Sequence, residues 1–138
     1  MNVLEIPFVQ KVGLTRHKDG YLILPMDQSN ENHIQTVHAS AQFTLAETLS
    51  GEALQKMFPQ FIGKVVPILR ESQIKFKKPA SGNIHGLACI HEEAKLKFEE
   101  QMAKKGRAAI RVEVEIKNEN EIVTCIGYFE WFVQRLDE

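Results

Sequence analysis

The chain has 138 residues and a mass of 15.8 kDa, the size of one domain around one core. Hydrophobic residues make up 43% and charged residues 25%, a globular composition that excludes disorder, collagen or a coiled coil as the main state. The 17 basic and 18 acidic side chains leave a net charge of -1, which excludes general nucleic-acid binding, since that needs a clustered basic excess.

In chain order, Glu5 to Gly13 reads as a short helix, with Pro7 in its first turn and Gly13 past its end. Asp19-Gly20 marks a turn, and Tyr21 to Met26 reads as a strand. An uncharged stretch from Asn32 runs into a helix of about five turns ending near Phe58. Its apolar stripe is Ala39, Phe43, Ala46, Ser50, Ala53 and Met57, with Thr44, Thr48, Glu52 and Gln55 on the other side. Such an apolar helix is expected to be wrapped by other elements. Val65 to Lys78 and Ile84 to Ile90 read as strands. Glu92 to Lys105 reads as an amphipathic helix stopped by Gly106. Ile110 to Ile116 alternates strictly with charged residues, which predicts a strand with one buried face. Asn118-Glu119-Asn120 is its turn, and Ile122 to Val133 returns as the hairpin partner. The expected class is α+β: a single domain over 1–138 with one long buried helix and a mostly antiparallel sheet of about five strands.

Met1 to Glu5 lacks a basic region before an apolar run, so no secretory signal is expected. No stretch approaches the ~18 apolar residues of a membrane span. The expectation is a cytoplasmic protein with no membrane or nucleic-acid partner. Cys89 and Cys125 each sit in an apolar run and read as buried, reduced thiols. His33 and His38 lack metal-ligand spacing, and no phosphate-binding or nucleophile-elbow motif is present, so neither metal nor cofactor is expected.

Chemistry concentrates between Asn32 and Gly51. Histidines apart, Glu47 is the only ionisable side chain between Glu31 and Glu52. At 100° per residue it shares a line with Ser40, Gly51 and Leu54, at the edge of the apolar stripe. A carboxylate there is partly desolvated and more basic than usual. The plain alternative is a boundary glutamate that reaches water. Ala39 falls in the first helical turn, where backbone N–H groups lack partners and can hold a developing oxyanion.

Asn32, His38, Leu45, Ala46 and Glu47 stand where hotdog-fold thioesterases of the PaaI kind carry Asn-x-x-x-x-x-His-Gly-Gly-x-x-x-x-Leu-Ala-Asp, and the segment resembles that motif. Ser50-Gly51, Lys78-Pro79-Ala80 and the helix from Glu92 to Lys105 are similar to the thioesterase group related to the YiiD C-terminal domain. The resemblance runs from about Pro7 to Val133. It implies a hotdog fold, a long central helix wrapped by a curved sheet, in a homodimer or tetramer with active sites at the subunit interface. It also implies hydrolysis of an acyl thioester of coenzyme A or acyl carrier protein. Glu47 would act as general base or nucleophile. Ala39 N–H from the other subunit would hold the carbonyl, and Asn32 would orient substrate or water. His38, Ser40 and Gly51 would border the substrate. Lys78 and Arg107 would meet the coenzyme A phosphates, within a basic rim that includes Lys75, Lys77, Lys104 and Lys105. The sequence departs from the motif at Ala39-Ser40, which replaces Gly-Gly and narrows the approach. Two other readings stay open: a non-catalytic acyl-thioester binder, and a hotdog dehydratase using His38.

Overall fold

Alternation along Arg107–Lys117 buries Ala108, Ile110, Val112, Val114 and Ile116 on one face and exposes most of the charged residues between them. That buried face is the floor of the core in the computed structural model, which describes residues 1–136. The helices are α1 (Pro7–Val12), α2 (Ala39–Met57) and α3 (Glu92–Lys105). The strands are β1 (Thr15–Arg16), β2 (Leu22–Leu24), β3 (Val65–Phe76), β4 (Ile84–Cys89), β5 (Arg107–Lys117) and β6 (Val123–Arg135). All six form one antiparallel sheet in the order β1-β2-β4-β5-β6-β3. The sheet has six strands where about five were expected. β1 has only two residues, both exposed, too short to leave a periodic signal in the sequence.

The sheet curves around α2. Register shifts between Leu69 and Glu71 on β3, and at Ile116/Lys117 on β5, insert bulges that bend and twist the neighbouring strands. Leu45, Ala46 and Leu49 of α2 are buried. Leu49 reaches the sheet at Gly86: a Cβ there would lie 2.9 Å from Leu49 Cδ1 and closer still to the Glu115 carbonyl oxygen. Only glycine lets helix and strand approach so closely. α3 ends as read, at Gly106 in the left-handed region with φ 70°. Its Phe98 and Met102 are buried against Phe58 and the sheet.

The expected α2 stripe is corrected in two places. Ala46 and Ser50 are buried and Phe43, Ala53 and Met57 half-buried, but Ala39 is exposed. Thr44 and Thr48, assigned to the opposite side, are also buried. The helix is covered on both sides, by the sheet and by the N-terminal segment. Each threonine hydroxyl donates to the carbonyl four residues back, Thr44 to Ser40 at 3.0 Å and Thr48 to Thr44 at 2.6 Å. Those bonds satisfy the buried hydroxyls.

The cysteine expectation is corrected as well. Cys125 is buried, with its thiol pushed up to about 11 by desolvation, while Cys89 is exposed at the end of β4; both are free. Apolar neighbours in sequence did not reveal that Cys89 shares the outward phase of β4 with the exposed Leu87.

One sheet edge is the two-residue β1. The other is the twelve-residue β3, carrying Val66, Ile68 and Phe76 at 41%, 56% and 43% exposure. A long edge with apolar side chains is a template for pairing with another chain.

Candidate functional site

The loop before α2 is built by its own side chains. Asn32 Oδ1 accepts from the backbone of Ile34 and Thr36, each at 3.0 Å, and its Nδ2 donates to Thr36 Oγ1 at 2.8 Å. Its amide is therefore engaged in shaping the loop. Val37 N–H donates to the Ala80 carbonyl at 2.8 Å, which ties the Lys78-Pro79-Ala80 segment to the helix start. His38 is the N-cap of α2: its Nδ1 accepts from Ser40 N–H at 2.9 Å. In the neutral ring the proton then sits on Nε2. Ala39 is the first helical residue, and its N–H makes no hydrogen bond among the described residues. Ala39 is exposed, at the positive end of the helix dipole.

Glu47 lies two turns further along. Its carboxylate has no hydrogen bond or ion pair among the described residues, and burial alone raises its pKa above the usual glutamate range. Glu52, on the same helix, shows the opposite outcome. Burial would raise it too, but Arg16 at 2.7 Å and Lys56 at 3.3 Å hold it below that range. Of the two glutamates on α2, Glu47 is the one left basic and free.

Beside Glu47 opens a cavity of about 540 Å³. Its walls run along α2 from Thr44 to Phe58 and include Gly51, Leu54, Phe61, Phe98 and Trp131. The N-terminal segment closes it through Val3, Ile6 and Val9. A largely apolar concavity of this size with a few polar groups on its wall is the usual form of a small-molecule site.

The sequence-derived residues fall in three places. Asn32, His38, Ala39, Ser40 and Lys78 gather at the N-terminal end of α2. Glu47 and Gly51 lie midway, on the cavity. Arg107 lies at the far end of the sheet, opposite Gln134, whereas the Lys78 backbone N–H donates to Thr124. Ten residues of β6 separate those positions, about 33 Å, so Lys78 and Arg107 of one chain do not meet. Ala39 and Glu47 are eight residues apart on one helix, about 12 Å along its axis. Within one chain they do not converge on a single carbonyl.

Sequence reasoning missed Trp131 and the role of Ser50. Trp131 reaches from β6 to α2, where its Nε1 donates to Ser50 Oγ and its ring covers Gly51 at 3.5 Å from a hypothetical Cβ. The pair is 81 residues apart, and no local pattern joins them. It also missed Arg16, 36 residues from the Glu52 it neutralises. Among the described residues no group of three or more His, Cys, Asp or Glu is placed to hold a metal ion, and no helix is long and apolar enough to cross a membrane.

A six-stranded antiparallel sheet closed around one long helix, in this strand order, makes the domain a thioesterase-like hotdog fold. The chain belongs to the family described as "Domain of unknown function (DUF4442)", whose model matches residues 7–133. Among solved structures, a protein of unknown function from Pseudomonas aeruginosa, described as a "probable thioesterase", aligns with a TM-score of 0.78 at 28% identity, covering 97% of this chain and 91% of its own. A thioesterase from Haemophilus influenzae aligns with a TM-score of 0.75 at 16% identity, covering 99% and 88%. A Bacillus halodurans protein solved with CoA aligns with a TM-score of 0.67 at 19% identity, covering 88% and 72%. No curated protein matches the chain.

Proposed function

We propose that this chain hydrolyses acyl thioesters of coenzyme A or acyl carrier protein, at sites shared between two copies of itself. The observation that carries this reading is Glu47: an unpaired, partly desolvated carboxylate on the wall of an apolar cavity. Among the described residues no hydrogen bond or ion pair stabilises its charge, the pattern expected of a functional carboxylate. The fold shared with solved proteins named as thioesterases, and one neighbour solved with CoA, supports the same chemistry. Ser50-Gly51 and Lys78-Pro79-Ala80 favour the subgroup related to the YiiD C-terminal domain.

The 12 Å between Ala39 and Glu47 favours a site built from two subunits. The apolar outer edge of β3 offers the surface along which two sheets would join into a dimer, alone or as half of a tetramer. In that arrangement the Ala39 N–H of one copy faces the cavity and Glu47 of the other.

Glu47 takes a proton from water as the water oxygen attacks the thioester carbonyl carbon. Negative charge moves to the carbonyl oxygen, where the Ala39 N–H receives it. Collapse of the tetrahedral intermediate breaks the C–S bond. The thiolate leaves with the proton held by Glu47, and the acid departs from the cavity. Direct attack by Glu47, with an anhydride then hydrolysed by water, uses the same groups. Asn32 acts by holding the loop that sets the helix start, and Lys78 stands at that end to meet a coenzyme A phosphate. His38 caps the helix through Nδ1, which leaves only its Nε2 side for substrate. Arg107 would reach the cofactor moiety only at a site of another copy.

A panel of acyl-CoAs incubated with the protein tests the reading through release of free thiol, and light scattering tests the assembly. Turnover with a mass of at least twice 15.8 kDa is the expected result. Binding without hydrolysis would make the chain an acyl-thioester binder, and a clean, active monomer would break the shared site.

A further inference from the structure

Resting on the thioester reading above, we infer that the acyl group taken by the cavity is an unbranched, uncharged fatty chain of about ten to fourteen carbons, set by cavity length. The cavity follows α2 away from Glu47 as far as Phe58. Those eleven residues span about 16 Å at the helical rise. An extended chain advances about 1.2 Å per bond, judged from a fully extended backbone with three bonds per residue. About thirteen bonds therefore fit between the reacting carbon and the end wall. Volume agrees. A methylene takes roughly the space of a liquid water molecule, about 30 Å³, so 540 Å³ holds up to about eighteen. The volume is thus an upper bound, and the length-based count lies within it.

The wall chemistry selects against polar ends. Glu47 is the only ionisable side chain among the described residues lining the cavity. Thr44 and Thr48 donate to helix carbonyls, Trp131 donates to Ser50, and the Gln55 amide oxygen accepts from the Met1 ammonium, the one cationic group on the described wall. At the end furthest from Glu47 stand Leu54, Phe58, Phe61 and Phe98. A terminal carboxylate or hydroxyl carried in among those four side chains would give up its water for apolar neighbours, a penalty an alkyl end avoids. A short acyl group would leave most of the cavity unfilled and forgo its burial.

Coenzyme A thioethers test this without turnover, because the C–S bond of S-ethyl-, S-hexyl-, S-dodecyl- and S-(ω-carboxyundecyl)-CoA cannot be hydrolysed. Calorimetry on the unmodified protein is expected to show S-dodecyl-CoA binding at least ~100-fold more tightly than S-ethyl-CoA. The ω-carboxylate should remove most of that gain. Trp131 is the sole tryptophan and lines the cavity, so its emission should shift to the blue with the dodecyl probe and stay fixed with the ethyl one. Equal affinity across lengths, preference for the ethyl or carboxylated probe, or dodecyl binding that leaves Trp131 emission unchanged would each overturn the inference. Turnover of the corresponding acyl-CoAs is scored separately. Length-selective binding without hydrolysis sinks the enzymatic reading and leaves the chain-length inference standing. Hydrolysis without length selectivity does the reverse.

Discussion

The Trp131 indole N–H donates to Ser50 Oγ at 2.9 Å, and the same hydroxyl donates to the Glu47 carbonyl oxygen at 2.6 Å. A sheet residue thus grips α2 one turn from the candidate acid. Trp131→Phe keeps a ring against Gly51 and deletes the donor. Chemical denaturation should show a loss of about 1 kcal/mol, the usual net value of one hydrogen bond. A variant as stable as the parent would mean that the contact is incidental.

Glu47→Gln preserves shape and removes the base. Turnover should fall at least ~10²-fold, the scale of a general base. Because burial already disfavours the charged carboxylate, the neutral amide should leave Tm at pH 7 unchanged or higher. Parent-like turnover would remove Glu47 from the mechanism, and a lower Tm would show an unsuspected structural role.

Activity should follow the ionisation of Glu47. Only the carboxylate can accept a proton, so kcat/KM is expected to rise with pH through a midpoint above the ordinary value of 4.5. Stability moves the other way. The folded state holds this proton more tightly than the unfolded chain, so Glu47 removes stability as pH rises from its unfolded value through its folded one. Glu52 has a lowered pKa, so it adds stability above its unfolded value, and that contribution disappears as pH falls through its folded value. A pH–rate profile for parent and Glu47→Gln checks the first statement, since the acid limb should vanish in the variant.

Ala39→Pro removes one N–H and little else. Proline is accepted at the first helical position, and His38, with ψ 139°, already has the extended backbone that proline requires of its predecessor. Loss of one oxyanion donor should lower kcat by ~10²–10³ with KM changed much less. Ala39→Gly serves as the control for crowding and should stay active. If Ala39→Pro folds and turns over at the parent rate, the carbonyl is held elsewhere.

The regular elements were legible because their signals are local. The β5 alternation and α3 with its Gly106 stop follow from spacing and end chemistry, whereas the His38 cap of α2 came from the structure. β1 escaped notice because two residues cannot express a period. Thr44 and Thr48 were misplaced because hydrophobicity scoring does not see a hydroxyl satisfied by its own helix. The Glu47 carboxylate, the candidate acid, was legible as a lone charge on an apolar edge. The Trp131–Ser50 contact, and the ion pair that separates Glu52 from Glu47 in character, needed the fold. Each joins positions that only the closed sheet brings near.

The 12 Å between Ala39 and Glu47 along α2 has a genetic consequence. In the proposed two-fold dimer each chain lends its helix start to one site and its acid to the other. Ala39→Pro and Glu47→Gln are then lesions in different halves of the same machine. Two inactive preparations, mixed and allowed to exchange subunits, should regain activity. Half of the resulting dimers would be hybrids, each with one doubly damaged site and one intact, giving about a quarter of parent turnover. Revival of this kind is open only to a catalyst whose working parts are divided between copies.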